Sequence, residues 1–330
     1  MNQIVLQLEQ LDSVRLNYGN NGELVLSIVQ AFIMFGVALG IKPLHFKTAF
    51  KYPKSVITGV VSQIVLLPLV TFLGVCCFRD YLTVTVALGA ILVACCPGGN
   101  VSNFISSISR GNIELSVSLT AISTVSAVIV TPLNFSLWGN LFINSSGLVR
   151  ELYIPISDVF KTLFFIIGLP LLLGVLCSAK FPRFTQIIAK PIQRISVAIF
   201  MAMVIIAFGA NFIKIITYVK YIFVIVLIQN ALAFLAGNTA ARVMHLNDRD
   251  RRTLTIETGI QNSGLALMLI FNPAIFPPEI TTGGMEFLAA WWGVWHIISG
   301  LGLSLFWNCR RKSLYDKTMA QRFCLHKNYI

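Results

Sequence analysis

The chain has 330 residues, 56% of them hydrophobic and only 12% charged, about half the charged share of a soluble globular domain. So much apolar surface excludes a water-soluble fold. The net charge of +12 then reads as a property of membrane-flanking loops rather than as a nucleic-acid surface.

Residues 1–23 hold Glu9, Asp12, Arg15 and many Asn and Gln, which do not make the basic start and apolar middle of a cleavable signal peptide. This stretch is expected to be a short, solvent-exposed extracellular leader. Nine apolar runs follow, each about 20 residues long and matched to a hydrocarbon core of roughly 30 Å. They lie at 24–42, 54–78, 84–108, 113–137, 156–178, 191–214, 219–243, 252–275 and 285–307. The expected class is an all-α polytopic membrane protein with about nine transmembrane helices and a tail at 308–330.

The basic residues orient the chain. With the N-terminus outside, inner segments collect Lys42, Lys47, Lys51, Lys54, Arg110, Lys180, Arg183, Lys190, Arg194, Arg242, Arg249, Arg251, Arg252 and six more after residue 309. Outer segments hold Arg15, Arg79, Arg150, Lys161, Lys214 and Lys220. The split is 19 to 6 of the 25 and favours N-outside, C-cytoplasmic, with contact to anionic lipid.

The third and eighth runs are interrupted, at Cys95-Cys96-Pro97-Gly98-Gly99-Asn100-Val101-Ser102-Asn103 and at Glu257-Thr258-Gly259-Ile260-Gln261-Asn262-Ser263-Gly264. Pro removes a backbone donor and Gly weakens a helix, and irregular backbone at membrane depth survives only against protein or a water-filled cavity. Five spans separate the interruptions, so the two helices cross in opposite directions. That is the arithmetic of an inverted repeat whose first unit lacks its opening helix. Gln63 and Gln229, also five spans apart, echo it. Paired broken helices point to a transporter's binding site, where half-helix N-termini attract anions and freed carbonyls hold cations; ordinary Pro kinks are the plain alternative.

Glu257 is the one carboxylate well inside an apolar run, and burial there costs at least ~2.5 kcal/mol on insertion scales. It either reaches toward Arg251 and Arg252 at the inner face or ligates a small hard cation, which prefers carboxylate, amide, hydroxyl and carbonyl oxygens. Gln261 and Asn262 follow it, Ser102 and Asn103 flank the other break, and Ser116, Thr120 and Ser123 share one face of the fourth run. Such hydroxyl stripes also serve plain helix packing.

The segment Cys96 to Asn103, Arg110-Gly111-Asn112, the run Leu115 to Thr131-Pro132, and Glu257 to Gly264 resemble the bile acid:sodium symporter family, and the likeness extends to Gln63, Pro68 and Trp295-His296. It covers roughly 24–307, and the nine spans are similar to the animal bile acid transporters. The resemblance implies two Na⁺ sites behind crossed broken helices. It also implies a core (about 54–137 and 219–307) that moves against a panel (about 24–53 and 156–214). One Na⁺ site is implied at Ser102, Asn103, Ser116, Thr120 and Glu257, the other at Gln63, Glu257, Gln261 and the carbonyls of Thr258 and Ile260. The implied substrate is an organic anion near Asn100, Asn262 and His296. Ile297 stands where the family often has Asn, and Asn100 where it commonly has Thr, which leaves the identity of the anion open.

The expected function is sodium-coupled import of a bile-acid-like anion, steroid conjugate or small carboxylate across a cell membrane. Na⁺, the anion and the bilayer are the partners, and no nucleic acid is expected. A proton-coupled or uncoupled carboxylate carrier and a non-transporting receptor or channel are the alternatives. No Ser/His/Asp set, His-Glu-x-x-His motif or aspartyl pair supports an enzyme.

Overall fold

The computed structural model describes residues 3–14, 22–40, 51–145, 156–273, 275–277 and 279–327. Arg15, Lys42, Lys47 and Arg150 lie outside the described residues, as do the side chain of Asn100 and the basic side chains after residue 309. Among the described residues the structure is helical, with one isolated bridge between Gly98 and Gln261 in place of any strand. The chain is an all-α polytopic membrane protein. Described helices fall on all nine expected runs. Those over Pro53–Cys77, Ile113–Ser145, Ser157–Lys180, Ile216–Val243 and Gly283–Cys309 are long and apolar enough to cross a membrane.

The leader departs from expectation. Residues Gln3–Asp12 form helix α1, and its Leu8 and Leu11 are fully buried. Asp12 Oδ1 accepts the hydroxyls of Thr83, at 3.0 Å, and of Thr85. A segment with two large apolar side chains one turn apart has a face to bury, and it buries it against the helix bundle.

After α2 (Gly22–Gly40) the second apolar run folds as α3 (Pro53–Val61), a π-helical turn (Ser62–Leu66) and α4 (Leu67–Cys77). Pro68 explains the wide turn. It has no N–H, so the Ile64 carbonyl four residues earlier loses its helical partner. Asn134 Nδ2 donates to that oxygen at 2.7 Å. The turn holds Gln63, which is buried.

Helix α5 (Val84–Cys95) is buried from Thr85 to Cys95, as a helix apolar all round requires. Extended residues Cys96–Gly99 connect it to α6 (Asn100–Ile108). Asn112 then opens α7 (Ile113–Ser145) by accepting Leu115 N–H at 3.2 Å, and α7 runs two turns beyond its expected end at 137. The fifth apolar run repeats the π-helical device before a second Leu-Pro-Leu, as α8 (Ile156–Leu163), a π turn (Phe164–Gly168) and α9 (Leu169–Lys180).

Helix α10 (Pro182–Ala210) begins nine residues before the expected 191, and α11 (Phe212–Val243) absorbs the expected loop after 214. Helix α12 (Asp248–Gly259) starts where Asn247 Oδ1 accepts Asp250 N–H, and α13 (Ser263–Ile270) where Asn262 Oδ1 accepts Leu265 N–H, both at 3.0 Å. Helix α14 (Gly283–Lys327) closes the chain.

The breaks are shorter than expected. Only Cys96–Gly99 and Ile260–Asn262 leave the helices, so Ser102 and Asn103 lie in α6 while Glu257 and Thr258 lie in α12. Helix α2 packs against α9 and α10, α11 against α12, and α14 against α5, α11 and α13. Trp292, Phe135, Leu88, Ile91 and Leu92 lie in the main buried core.

Candidate functional site

The two breaks meet. Gly98 pairs antiparallel with Gln261, Gly99 N–H donates to Ile260 O at 3.2 Å, and Asn262 N–H donates to Pro97 O at 2.9 Å. Helix ends leave backbone groups unpaired, and in hydrocarbon each unpaired group is costly; here each break satisfies the other. Glycine leaves room for this approach. A Cβ on Gly98 would stand 3.2 Å from Glu257 Oε2 and 3.3 Å from Gln63 Nε2.

Glu257 sits behind the junction with 0% of its surface exposed. Its carboxylate accepts Ser102 Oγ–H at 2.7 Å, Ser116 Oγ–H at 2.5 Å, and Thr120 Oγ1–H at 3.2 and 3.4 Å to its two oxygens. Asn103 Oδ1 accepts the same hydroxyls, Ser116 at 2.9 Å and Thr120 at 3.3 Å. From the π turn, Gln63 Nε2 reaches Glu257 O at 3.1 Å and Oε2 at 3.3 Å. Three elements thus converge on the one carboxylate that α12 carries. Ser123, on the same face of α7, instead bonds Thr120 O and stays outside the cluster.

The reading in which Glu257 extends toward inner-face arginines fails. Arg251 pairs with Asp248 at 2.8 Å, and Arg252 donates to Ser109 O at 2.9 Å and lies over the Trp307 ring. Among the described residues no cation pairs with Glu257. Its compensation comes from neutral hydroxyls and an amide, where buried charges ordinarily need a counter-ion or a metal.

Gln261 Nε2 donates to Thr258 O at 2.8 Å, and Thr258 Oγ1 meets Ser62 Oγ at 2.8 Å. The amide oxygens of Gln63 and Gln261 are both buried and lack a hydrogen-bond partner among the described residues. Orphan amide oxygens of this kind, like carboxylate and carbonyl oxygens, are donors that a hard cation takes. Among the described residues no three of His, Cys, Asp or Glu come together, so the donors differ from those of a zinc-type site.

Comparison with known proteins decides the family. Residues 27–218 match the Sodium Bile acid symporter family. The chain belongs to the sodium bile acid symporter family. Its relatives include the "Uncharacterized sodium-dependent transporter YocS" of Bacillus subtilis (strain 168), 30% identical over 87% of this chain and 84% of that protein. The "Probable sodium/metabolite cotransporter BASS2, chloroplastic" of Oryza sativa subsp. japonica is 28% identical over 87% and 64%. The "Ileal sodium/bile acid cotransporter" of Homo sapiens is 28% identical over 76% and 70%. The symporter family is one of sodium-dependent membrane transporters, and these relatives are named as transporters rather than enzymes.

The remaining candidates are placed less centrally. Asn100 opens α6 at the break. Asn262 spends its side-chain oxygen capping α13, and His296 is buried on α14. Sequence reasoning missed Ser62, which holds the Thr258 hydroxyl, and Thr131, whose Oγ1 donates to Cys95 O at 2.9 Å and caps α5. It also missed Asn230. Each is a single polar residue inside an apolar run, a signal that packing hydroxyls and amides share.

Proposed function

We propose that this symporter-family protein carries an organic anion inward across a cell membrane, driven by Na⁺, with its N-terminus outside and C-terminus in the cytoplasm. The observation that supports this most is the setting of Glu257, wholly buried, without a cationic partner among the described residues and faced by hydroxyl and amide groups from the π turn between α3 and α4, from α6 and from α7. A transported Na⁺ ion in that setting neutralises the carboxylate and satisfies the hydroxyl and amide oxygens together.

In this reading one Na⁺ engages Ser102, Asn103, Ser116, Thr120 and Glu257. A second engages Gln63, Glu257, Gln261 and the carbonyls of Thr258 and Ile260. The C-termini of α5 and α12 carry the negative ends of their dipoles and suit cations, whereas the N-termini of α6 and α13 carry positive ends and suit the anion. Asn100, Asn262 and His296 are the substrate candidates. A core of about 54–137 and 219–307 moves against a panel of about 24–53 and 156–214, a division supported by the packing of α2 against α9 and α10. The names of these relatives, a bile acid cotransporter and a metabolite cotransporter, support a bile-acid-like anion, a steroid conjugate or a small carboxylate as cargo.

The test is thermal unfolding of the purified full chain in Na⁺ against equal K⁺, alone and with a panel of anionic steroids and small carboxylates. A ligand bound only by the folded state raises the unfolding temperature by mass action. Na⁺ should stabilise well beyond K⁺, and one class of anion should add a further shift only in Na⁺. Equal shifts in both salts would reject sodium coupling, and an anion shift driven by low pH without Na⁺ would favour proton coupling.

A further inference from the structure

Helix α11 presents a stripe to the end of α12. Asn230 Nδ2 donates to Gly259 O at 2.8 Å, and both it and Gly259 are buried. One turn on, Phe234 lies so close that a Cβ on Gly259 would run into its ring. A Cβ on Gly237 would stand 2.6 Å from Leu254 O and 2.8 Å from Thr258 Oγ1. Residues 230, 234 and 237 follow the i, i+4, i+7 spacing of one helix face. The amide oxygen of Asn230 is also held, accepting Ser299 Oγ–H from α14 at 2.6 Å, and Ser299 Oγ in turn reaches His296 O at 3.2 Å. The preceding residue, Gln229, donates to Ala90 O of α5 at 2.8 Å. Two consecutive side chains therefore grip both broken helices.

Gly259 O is one of the carbonyls that the end of α12 leaves without a helical partner. Ile260, next in the chain, is extended, with φ −116 and ψ 100, so successive carbonyls point to different sides. Gly259 O goes to Asn230, Ile260 O to Gly99 N–H, and Thr258 O to Gln261. Holding the middle carbonyl fixes the direction of the two that flank it.

We infer that Asn230 is a positioning residue of the sodium site, which through the Gly259 carbonyl aims the Thr258 and Ile260 carbonyls, and which through Ser299 joins that site to the His296 turn of α14. This rests on the sodium-coupled reading above. Asn230 touches no transported species; it acts through the backbone that does.

The experiment measures the Na⁺ midpoint of thermal stabilisation for the purified full chain, over a Na⁺/K⁺ series at constant ionic strength. Asn230→Ala should raise the midpoint about tenfold, the consequence of leaving one buried acceptor unpaired. Ser299→Ala, a milder change that keeps the bond to Gly259, should raise it about threefold and serves if the first variant does not fold. Asn308→Ala removes a comparable amide-to-carbonyl bond, to Ile108 O at 3.0 Å. It should lower the unfolding temperature in both salts and leave the midpoint unchanged. A wild-type protein that Na⁺ stabilises, with Asn230→Ala and Ser299→Ala keeping its midpoint, overturns this assignment alone. A wild-type protein that Na⁺ and K⁺ stabilise equally overturns the sodium reading and the assignment with it.

Discussion

The amide nitrogen of Gln63 lies 3.1 Å from the main-chain oxygen of Glu257 and 3.3 Å from its carboxylate, although 194 positions separate them in the chain. The contact joins the π turn between α3 and α4 to the last turn of α12, so the acid is held from both its backbone and its side chain. A group held that way does not swing to solvent.

Glu257→Gln is expected to abolish the Na⁺-specific thermal shift and to reduce sodium-dependent uptake by at least the ~10–100-fold that loss of an outer metal-site partner costs. Glu114→Gln, at an exposed residue of the first turn of α7, should keep both within about twofold of wild type, since surface changes move stability by only ~0.5 kcal/mol. Similar losses in the two variants would place the special carboxylate elsewhere.

Ser116 and Thr120 tie α7 to α6 and α12 through Asn103 and Glu257. Sodium and anion affinities should be linked reciprocally, by a factor on the order of 5–150. Combined Ser116→Ala and Thr120→Val should shrink that factor. Isothermal titration of the anion across a Na⁺ series measures it, and an unchanged sodium dependence would remove α7 from the site.

Asp12 gives a pH signature outside the membrane. Burial lifts its carboxyl from the ordinary 3.8 to about 6, against the lowering effect of the Thr85 and Thr83 hydroxyls, and Glu9 adds to the rise. The folded chain therefore holds this proton more tightly than the unfolded one. Its contribution is full below about 3.8, falls as pH rises toward 6, and is flat above. Asp12→Asn keeps an acceptor for both hydroxyls without the charge, so it should unfold at a higher temperature than wild type at pH 7, with the gap closing toward pH 4. A gap independent of pH would contradict the docking of α1 through a buried charge.

Gly259→Ala should destabilise the protein by about 1–3 kcal/mol, the cost of overpacking a filled site. Phe234→Leu in the same chain should recover part of the loss, because the added methyl meets that ring. Additive effects in the double-mutant cycle would show that the two residues do not press on each other.

Accessibility labelling in a Cys-free background tests the orientation. Asp80 and Asp248 are both exposed; Asp80→Cys should react from outside and Asp248→Cys only from inside. Reaction of both from one face would overturn the expected orientation and the count of spans.

The class of the protein, its two interrupted helices and its central acid were legible in the sequence, because each departs locally from an otherwise apolar run. Apolar runs of bilayer length, a Pro-Gly-Gly cluster and a lone Glu at membrane depth are signals that need no knowledge of neighbours. Element ends were less legible. In α10 and α11 the charged and polar residues at 183–190 and 211–220 look like loops, yet helices of a bundle continue past the hydrocarbon and carry such residues at their ends.

Only the tertiary structure decided that α1 docks instead of lying free, that the breaks pair with each other, and that Asn230 holds Gly259. A π turn at Gln63 depends on Asn134 arriving to take the carbonyl that Pro68 frees. An apolar leader face depends on where the bundle leaves room. These outcomes rest on hydrogen bonds and close packing between residues far apart in the chain. A residue's type fixes what it can donate or accept, whereas the approach of a second backbone fixes whether it does.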